Sequence, residues 1–329
     1  MKQATKRQLG VQVEAREFKQ PFRITGHTFS VADIILVTLR EGNVVGQGEA
    51  CGVYYLNENS GTMRSQVEAV TEAMEQGADR QALLQLLPAG GARNALDCAL
   101  WDLEAKLTGK SIWELTGIVP RETRTVLTVG IDTPAVMADQ AAKLKTDRIK
   151  VKLSGDQPLE RIRAVRAARP EASLIVDANQ GWSFDQLLGL VPHFAELGIA
   201  MIEQPLPRGG DEALEGFKSP VPLCADESCL HTGEFEQAAR RYDMINIKLD
   251  KTGGLTEALR LIEMAEARGI GLMVGNMMGT SLAMAPGYVV AQHCRFVDLD
   301  GPCFLKEDRE PAMAYDNGLI SAPSRALWG

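Results

Sequence analysis

Short apolar runs rich in β-branched residues recur along the middle and end of the chain, and a polar residue ends or follows each run. These polar residues are Thr128, Lys152, Asp177, Glu203, Asp226, Lys248, Asn276 and Asp300. They are spaced 22 to 28 residues apart, about the length of a strand, a turn, a helix and a return loop. Strands that alternate with helices indicate a parallel sheet. We therefore expect eight such units to close into a barrel.

The first part of the chain has a different pattern. VQVEAREF and ADIILVTLR are typical of strands, and glycine-containing turns separate them, which predicts a three-stranded antiparallel sheet up to about residue 50. From about residue 62 to residue 116 the apolar positions follow a helical period, most clearly in ARNALDCALWDLEAKLTGK, where Gly109 suits a helix end. This pattern predicts an α+β domain ahead of the barrel.

Together the patterns predict an α/β fold, a modified TIM barrel of the (β/α)7β type with an amino-terminal α+β capping domain. The capping domain is expected at residues 1–118 and the barrel catalytic domain at residues 119–303. No further strand and helix unit follows Asp300, so residues 304–329 are expected to pack back on the capping domain. Because the barrel units are short, we expect two capping-domain loops, Pro21–Ser30 and Gly52–Gly61, to cover the site.

Composition and charge exclude several classes of partner. Hydrophobic residues make up 45% of the chain and charged residues 24%, as in ordinary globular proteins. A net charge of −8 argues against nucleic acid or an anionic membrane as partner. No segment has the apolar length of a signal peptide or membrane span, and the six cysteines show no metal-binding spacing. We expect a cytoplasmic protein with a small-molecule partner, and a homo-oligomer is left open.

Six of the eight strand-end residues are ionisable. In a parallel barrel the carboxyl ends of all strands meet at one face, so these residues are expected to form one site. Charges there are costly unless they pair or bind something. Asp177, Glu203 and Asp226 end three consecutive strands, and converging carboxylate oxygens suit a hard divalent cation. The sequence therefore predicts one magnesium ion per subunit at this face.

Two lysines are placed to act as bases. Lys152 and Lys248 end the second and sixth barrel strands, which lie opposite each other. A lysine is a base only when neutral, and its reference pKa is about 10.4. Lys150 points to the same side of its strand as Lys152, and like charges beside a dication are expected to lower the pKa of such amines. Bases on opposite sides of one carbon can invert its configuration.

Seven segments together resemble one known family. They are ARNALDCALWDLEAK, IKVKL, LIVDAN, EQPLP, CADES, NIKLDKTGGLTEAL and VDLDGP, and the likeness runs over nearly the whole chain. The chain resembles the enolase superfamily, in which a lysine base works with a magnesium-stabilised enediolate. Within that superfamily it is similar to dipeptide epimerases of the L-Ala-D/L-Glu epimerase group. The resemblance implies a Mg-dependent epimerase that inverts the α-carbon of a dipeptide's C-terminal residue by two-base 1,1-proton transfer.

The resemblance also implies roles for individual residues. Lys152 and Lys248 match the two catalytic lysines, and Asp177, Glu203 and Asp226 match the magnesium ligands. Asp298 and Asp300 match an acidic pair that holds the ammonium group of the dipeptide. Positions that line the substrate pocket in such enzymes are matched by Thr128, Lys150, Asn276 and Met278. An acidic pair opposite a metal also suits a substrate with a positive and a negative end.

The chain departs from the group in the residues that are expected to set its substrate specificity. Members that take a glutamyl side chain are expected to carry an arginine in the loop corresponding to Pro21–Ser30. The nearest candidates here are Arg23 and His27, with Phe29 close by. L-Ala-D/L-Glu is the favoured substrate, and a dipeptide with a hydrophobic second residue is the alternative. The resemblance also suggests murein-peptide recycling as the pathway.

Other functions remain as alternatives. A muconate-cycloisomerase-like or o-succinylbenzoate-synthase-like enzyme would use the same two lysines on the same scaffold. Asp298 and Asp300 argue against both, because their substrates carry no ammonium group. A Schiff-base aldolase would need one lysine and no carboxylate trio, and a binding barrel without catalysis would hold a dipeptide without converting it.

Overall fold

Three antiparallel strands come first in the described part of the chain. The structure is a computed structural model that describes residues 7–24 and 26–329. The strands are β1 (Arg7–Ile24), β2 (His27–Glu41) and β3 (Val44–Ala50), in the order β1-β2-β3. They confirm the predicted three-stranded sheet. Residues 1–6, which belong to the stretch where no signal peptide was predicted, and Thr25 within Pro21–Ser30 lie outside the described residues.

The segment Pro21–Ser30, predicted as a loop that covers the site, forms the tip of a strand hairpin in its described residues, and Phe22, Ile24 and Phe29 from it line the cavity described below. β1 and β2 stay paired almost to the turn, with Phe22 opposite Phe29 and Ile24 opposite His27. The Phe22 ring packs 4.8 Å from the ring of Phe304, within a small apolar cluster. Glycine in the middle of the segment marks the turn, but the alternating apolar residues on either side continue the two strands.

Five helices complete the amino-terminal part. They are α1 (Ser60–Ala69), α2 (Thr71–Glu75), α3 (Arg80–Leu86), α4 (Gly91–Thr108) and α5 (Ile112–Thr116), and a 3-10 turn, Tyr54–Leu56, precedes them. α4 lies directly on the sheet because β3 carries glycine where the helix crosses it. A Cβ atom on Gly48 would stand 2.1 Å from the carbonyl oxygen of Ala95, and one on Gly46 would stand 2.3 Å from that of Ala99. Any larger residue would force the helix away.

The predicted fold class is confirmed by eight parallel strands. These are β5 (Leu127–Val129), β6 (Arg148–Lys152), β7 (Ser173–Asp177), β8 (Ile199–Glu203), β9 (Leu223–Ala225), β10 (Met244–Lys248), β11 (Gly271–Gly275) and β12 (Phe296–Val297), after a short β4 (Thr123–Arg124). They follow one another in chain order across the sheet. The amide of Val126 donates to the carbonyl of Val297 at 2.8 Å, which joins the two ends of the sheet.

Helices connect the barrel strands. They are α6 (Pro134–Lys143), α7 (Pro158–Ala168), α8 (Phe184–Glu196), α9 (Phe235–Arg241), α10 (Leu249–Thr252), α11 (Leu255–Arg268), α12 (Ser281–Ala291) and α13 (Gly301–Phe304). Between β8 and β9, where prolines and glycines interrupt the chain, the described residues form only a 3-10 turn, Glu212–Leu214. A second 3-10 turn, Thr232–Glu234, precedes α9. In residues 7–24 and 26–329 no helix has the length and apolarity needed to cross a membrane.

The carboxyl-terminal segment contacts both parts of the molecule. Its strands β13 (Tyr315–Asp316) and β14 (Leu319–Ile320) form a sheet with β4. Its last residues reach the capping helices: the Trp328 indole donates to the carbonyl of Cys98 at 2.9 Å, and the Gly329 amide donates to Asp102 Oδ1 at 2.8 Å. The domain limits expected after residues 118 and 303 stay predictions.

A buried ion pair joins α4 to the barrel. Arg93 Nη2 lies 2.5 Å from Glu257 Oε2 and donates to the carbonyl of Thr252 at 2.6 Å. Both side chains of the pair are buried, so removing one leaves an uncompensated charge. We expect Arg93→Ala to lower the free energy of unfolding by about 3–5 kcal/mol, measured by chemical denaturation.

The matched control is Arg64→Ala, which removes an exposed i,i+4 pair with Glu68 on α1. That change should cost about 0.5 kcal/mol or less. Equal losses in the two variants would mean that the buried pair adds nothing to the contact between α4 and the barrel.

Candidate active site

Three carboxylates lie side by side at the carboxyl ends of β7, β8 and β9. Strand register places Lys152, Asp177 and Glu203 at one level, and Asp226 follows the end of β9. Asp177, Glu203 and Asp226 are fully buried. The structure thus brings the predicted trio together, as the counting of strands required.

Lys152 and Lys248 stand at opposite ends of this row. Lys152 Nζ donates to Asp177 Oδ2 at 2.6 Å, and Lys248 Nζ donates to Asp226 Oδ2 at 2.5 Å. The strands β7, β8 and β9 separate β6, which carries Lys152, from β10, which carries Lys248. The two amines therefore approach the carboxylates from different sides.

Lys150 is an internal counter-ion. Its Nζ lies 2.7 Å from Glu203 Oε2, 2.7 Å from Asp298 Oδ2 and 3.1 Å from Asp177 Oδ2. Lys152 contacts the same Asp177 oxygen, so the two lysines share one side of β6 as the period of the strand predicted. Lys150 lies behind the cavity described below, not on its wall.

Several partners of these carboxylates were missed from the sequence. Lys251 is buried, and its Nζ donates to Asp226 Oδ1 at 2.6 Å. Asn246 Nδ2 donates to Glu203 Oε1 at 2.7 Å. Both residues lie in NIKLDKTGG, where Asn246 shares the strand face of Lys248 and Lys251 comes one turn later. That spacing was a usable signal.

Electrostatics in the cluster follow from burial and close ion pairs. Burial raises the pKa of Asp177, but the ammonium groups of Lys152, Lys150 and Lys248 outweigh it and hold that pKa at about 2. For Asp226, Lys248 and Lys251 likewise outweigh burial and lower the pKa. Burial, with Asp177 nearby, raises the pKa of Glu203. Asp177 and Asp226 are thus held ionised.

The pKa values of Lys248 and Lys150 shift against the expectation from the sequence. Burial lowers the pKa of Lys248, but Asp226 and Glu203 outweigh burial and raise it; Asp298, Glu203 and Asp177 do the same for Lys150. Neighbouring like charges were expected to lower such values. The carboxylates are closer than the other amines, so their attraction dominates when no other cation shares their charge.

The donor set fits a hard divalent cation. Among the described residues, no three His, Cys, Asp or Glu side chains are arranged to hold an ion. Lys150 instead pairs with Asp177 and Glu203, and Lys248 pairs with Asp226 and lies 4.0 Å from Glu203. The trio nevertheless supplies carboxylate oxygens from adjacent strands. Glu203 Oε2 is buried and lies 2.7 Å from the ammonium nitrogen of Lys150. A small shift of the lysine side chains would leave that oxygen free to bind a metal.

The predicted acidic pair directly follows β12, the last barrel strand. Asp298 contacts Lys150, and its Oδ1 is buried without a hydrogen-bond partner among the described residues. Asp300 Oδ2 accepts the amide of Thr128 at 2.9 Å, and burial together with Asp298 raises its pKa. Asn276 Nδ2 donates to the carbonyl of Asp298 at 2.5 Å. Asp298 is thus connected to Asp177 and Glu203 through the ammonium group of Lys150.

A cavity of about 270 Å³ opens above this cluster. Lys152, Lys248, Asn276 and Met278 line it, and the capping domain supplies much of its wall. Tyr54, Tyr55 and Glu227 also line it and were not selected from the sequence. Glu227 is buried beside Asp226, and burial with that neighbour raises its pKa to about 8.

The two candidate specificity residues lie apart from the lysines. Arg23 is mostly exposed, its Nη1 lies 3.6 Å from Asp132 Oδ2, and it lines a second pocket that also includes Thr128. The ring of His27 lies 4.6 Å from that of Tyr54, with Phe29 beside both. Phe29 lines the main cavity, which neither Arg23 nor His27 does.

Comparisons with known proteins agree with this architecture. Residues 6–117 match the mandelate racemase/muconate lactonizing enzyme N-terminal domain, and residues 135–326 match the enolase C-terminal domain-like family. The chain is 43% identical to the L-Ala-D/L-Glu epimerase of Escherichia coli (strain K12), over 93% of this chain and 97% of that protein.

Two solved structures extend the comparison. An enolase family member from Agrobacterium tumefaciens, with bound sodium and L-Ala-L-Glu, has a TM-score of 0.96 and 42% identity over 98% of this chain and all 100% of that one. A dipeptide epimerase from Cytophaga hutchinsonii, complexed with Mg and D-Ala-L-Val, has a TM-score of 0.90 and 25% identity over 98% of this chain and 94% of that one. The chain therefore belongs to the enolase superfamily, as an isomerase of the group that these dipeptide epimerases form.

Proposed function

We propose that the protein is a Mg-dependent dipeptide epimerase that inverts the α-carbon of the C-terminal residue by 1,1-proton transfer between two lysines. The observation that carries the proposal is the placement of Lys152 and Lys248. They stand at opposite ends of the carboxylate row, and both line the same cavity. Two amines on either side of one carbon are what inversion by two bases requires.

Asp177, Glu203 and Asp226 are proposed to hold the metal ion. When bound, the ion would offset the negative charge of the substrate carboxylate and so acidify the adjacent α-carbon. The Cytophaga hutchinsonii enzyme, which was solved with Mg, supports the choice of ion. Lys150 would balance the remaining charge, because its ammonium group already pairs with Glu203 and Asp298.

The protein's own groups would then orient the dipeptide and move the proton. Asp298 and Asp300 are proposed to accept the substrate ammonium, and the unpartnered Oδ1 of Asp298 supports that role. Lys152 would take the α-proton of one epimer and Lys248 would supply a proton on the opposite side, with the roles exchanged in the reverse direction. Asp177 and Asp226 hold the two amines in place by hydrogen bonds. Thr128 and Asn276 are proposed to fix the acidic pair.

Incubation of a dipeptide panel in deuterated water tests the function. The panel includes L-Ala-L-Glu and dipeptides with apolar C-terminal residues. We expect at least one member to yield its epimer with deuterium at the α-carbon. If no member gives either epimer or α-deuterium, the proposed function is wrong.

A second candidate function, epimerisation of dipeptides with an apolar C-terminal residue, is favoured by the cavity wall. Phe22, Ile24, Phe29, Val31 and Met277 line it. Lys152 and Lys248 are the cationic side chains among the described residues that line it, and both are committed to catalysis in this proposal. A glutamyl carboxylate would therefore be buried without a partner of its own, which is costly. L-Ala-D/L-Glu, the favoured substrate from the resemblance, stays a prediction.

Arg23→Ala tells the two specificities apart. Arg23 is exposed, paired with Asp132 and outside the main cavity, so we expect kcat/KM for L-Ala-L-Glu to change by less than about twofold. We also expect a dipeptide ending in Leu or Phe to have a kcat/KM roughly 10-fold or more above that of L-Ala-L-Glu. A large loss confined to L-Ala-L-Glu in the Arg23→Ala protein would instead make Arg23 a glutamyl-binding residue.

We also propose a cellular location and a pathway for the protein. All six cysteines are free thiols, which supports a reducing compartment such as the cytoplasm. Murein-peptide recycling is proposed from the resemblance to L-Ala-D/L-Glu epimerases. The division into residues 1–118, 119–303 and 304–329 is proposed from the fold, and a homo-oligomer is left open.

A further inference from the structure

The turn that follows Lys248 is tied to the capping domain. Asp250, buried and two residues beyond Lys248, uses one oxygen, Oδ1, to accept the backbone amides of Cys51 and Gly52, each at 3.0 Å. In the same turn the carbonyl of Thr252 accepts Arg93 Nη2 at 2.6 Å. α10 is therefore clamped from the capping side at two points.

Lys152 is held differently. The residue after it, Leu153, donates its amide to the carbonyl of Asp177 at 2.9 Å, so neighbouring barrel strands fix that backbone. The Lys152 side chain also bonds to Asp177 and Asn179, both from the β7 side. The two proposed bases thus depend on different parts of the molecule. Lys152 is held by contacts within the barrel, whereas the backbone that follows Lys248 is held by hydrogen bonds to the capping domain.

The capping residues that Asp250 binds lead directly into the cavity wall. Cys51 and Gly52 line the cavity, and the 3-10 turn that follows carries Tyr54 and Tyr55, which line it too. Gly52 has a φ of 81°, and a Cβ atom there would stand 3.0 Å from Met63 Sδ, so glycine is the residue that fits this backbone. The Asp250 carboxylate therefore connects the turn after Lys248 to the capping-domain wall of the cavity.

We propose that Asp250 is a positioning residue for Lys248, and that it acts on proton transfer at one side of the α-carbon only. This inference rests on the proposed two-base function. Loss of the two hydrogen bonds from the Cys51 and Gly52 amides would let α10 move relative to the cavity, and Lys248 would shift with it. Lys152 has no bond to that turn in the described residues, so its reach to the substrate should stay the same.

Isotope exchange is the measurement that separates the two sides. Overall epimerisation cannot do so, because a catalyst leaves the equilibrium constant unchanged and must slow both directions together. The rate at which each epimer exchanges its own α-hydrogen for solvent deuterium has no such constraint. That rate reports the base which removes the proton from that epimer.

The experiment compares Asp250→Ala with the unchanged full-length protein in deuterated water, loaded with Mg2+. We expect exchange into one epimer to fall at least tenfold more than exchange into the other, and the affected epimer to be the one that Lys248→Ala also fails to exchange. Asp250→Asn keeps an oxygen that can accept both amides, so it should restore the ratio to within about twofold of the original. Should Asp250→Ala fail to fold, Asp250→Ser, with a hydroxyl too short to reach both amides, gives the same test.

Asp97→Ala is the matched control. Asp97, on α4, is also buried between the capping domain and the barrel. Its carboxylate accepts hydrogen bonds from the amide and hydroxyl of Thr256, which lies beyond the turn that follows Lys248. It should lower stability and leave the exchange ratio unchanged. An equal fall for both epimers with Asp250→Ala or Asp250→Ser, or no fall at all, overturns the inference. If the unchanged protein exchanges neither epimer, the proposed function itself has failed, and the two failures are thus distinguishable.

Discussion

Replacement of Lys152 or Lys248 by Ala is expected to abolish measurable epimerisation in both directions. Inversion needs an acid and a base on opposite sides of one carbon, so loss of either amine stops the full reaction. General acid or base groups contribute roughly 10²–10⁴-fold to a rate, and each variant should lose at least that much in kcat. The measurement is the change in optical rotation, or chiral chromatography, with the best dipeptide of the panel.

Lys218→Ala serves as the control for this prediction. Lys218 is exposed in the connection between β8 and β9, and it should be replaceable without effect on kcat. Far-ultraviolet circular dichroism of each variant checks that the fold is retained, because Lys152 and Lys248 each neutralise a buried carboxylate. A correctly folded Lys152→Ala or Lys248→Ala protein with near-normal kcat would remove that lysine from the mechanism.

Mg2+ is expected to stabilise the folded protein strongly, and Glu203→Gln is expected to remove most of that effect. A ligand that binds only the folded state at about 100 times its Kd adds about 2.7 kcal/mol. Glu203 is the central member of the trio, and its buried Oε2 lies 2.7 Å from the ammonium nitrogen of Lys150, which a bound cation would replace as its partner. The measurement is the unfolding temperature with and without Mg2+, after chelation of any metal that is carried through purification.

The control for the metal prediction is Glu263→Gln. Glu263 is exposed on α11, so that variant should keep the full Mg2+-dependent rise in unfolding temperature. Chelation should also abolish epimerisation of the unchanged protein, and added Mg2+ should restore it. An unfolding temperature that is the same with and without Mg2+ would contradict the assignment of the trio as metal ligands.

The barrel and its ring of strand ends could be predicted because they depend on local pattern alone. Each apolar run is buried on both faces of a parallel sheet, so its length and its end are visible in the sequence. Lys152, Asp177, Glu203 and Lys248 occupy the last positions of their strands, and Asp226 follows directly after its strand. Counting strands was sufficient to bring these residues to one face.

What could not be predicted depends on contacts between distant segments. Pro21–Ser30 has a turn composition, yet Phe22 and Phe29 pair across it and Phe304 packs on it from the far end of the chain. Asp250 binds residues almost two hundred positions earlier. No periodicity in the sequence encodes such a pair.

The charge state of the lysines also depended on three-dimensional context. From the sequence, Lys150 and Lys152 were two like charges on one strand face. In the fold, the ammonium of Lys150 contacts three carboxylates, so opposite charge dominates its surroundings. The side of a strand on which a group lies can be predicted from the sequence. The pKa of that group depends on its closest charged neighbours, which only the fold brings together.

The most direct test of the central claim is solvent deuterium exchange by the two lysine variants, each measured with both epimers of one dipeptide. The claim is that Lys152 and Lys248 serve opposite sides of the same α-carbon. It predicts that Lys152→Ala still exchanges the α-hydrogen of one epimer only, and that Lys248→Ala still exchanges that of the other epimer only. If both variants retain exchange with the same epimer, the two amines serve one side of the carbon and the account is contradicted.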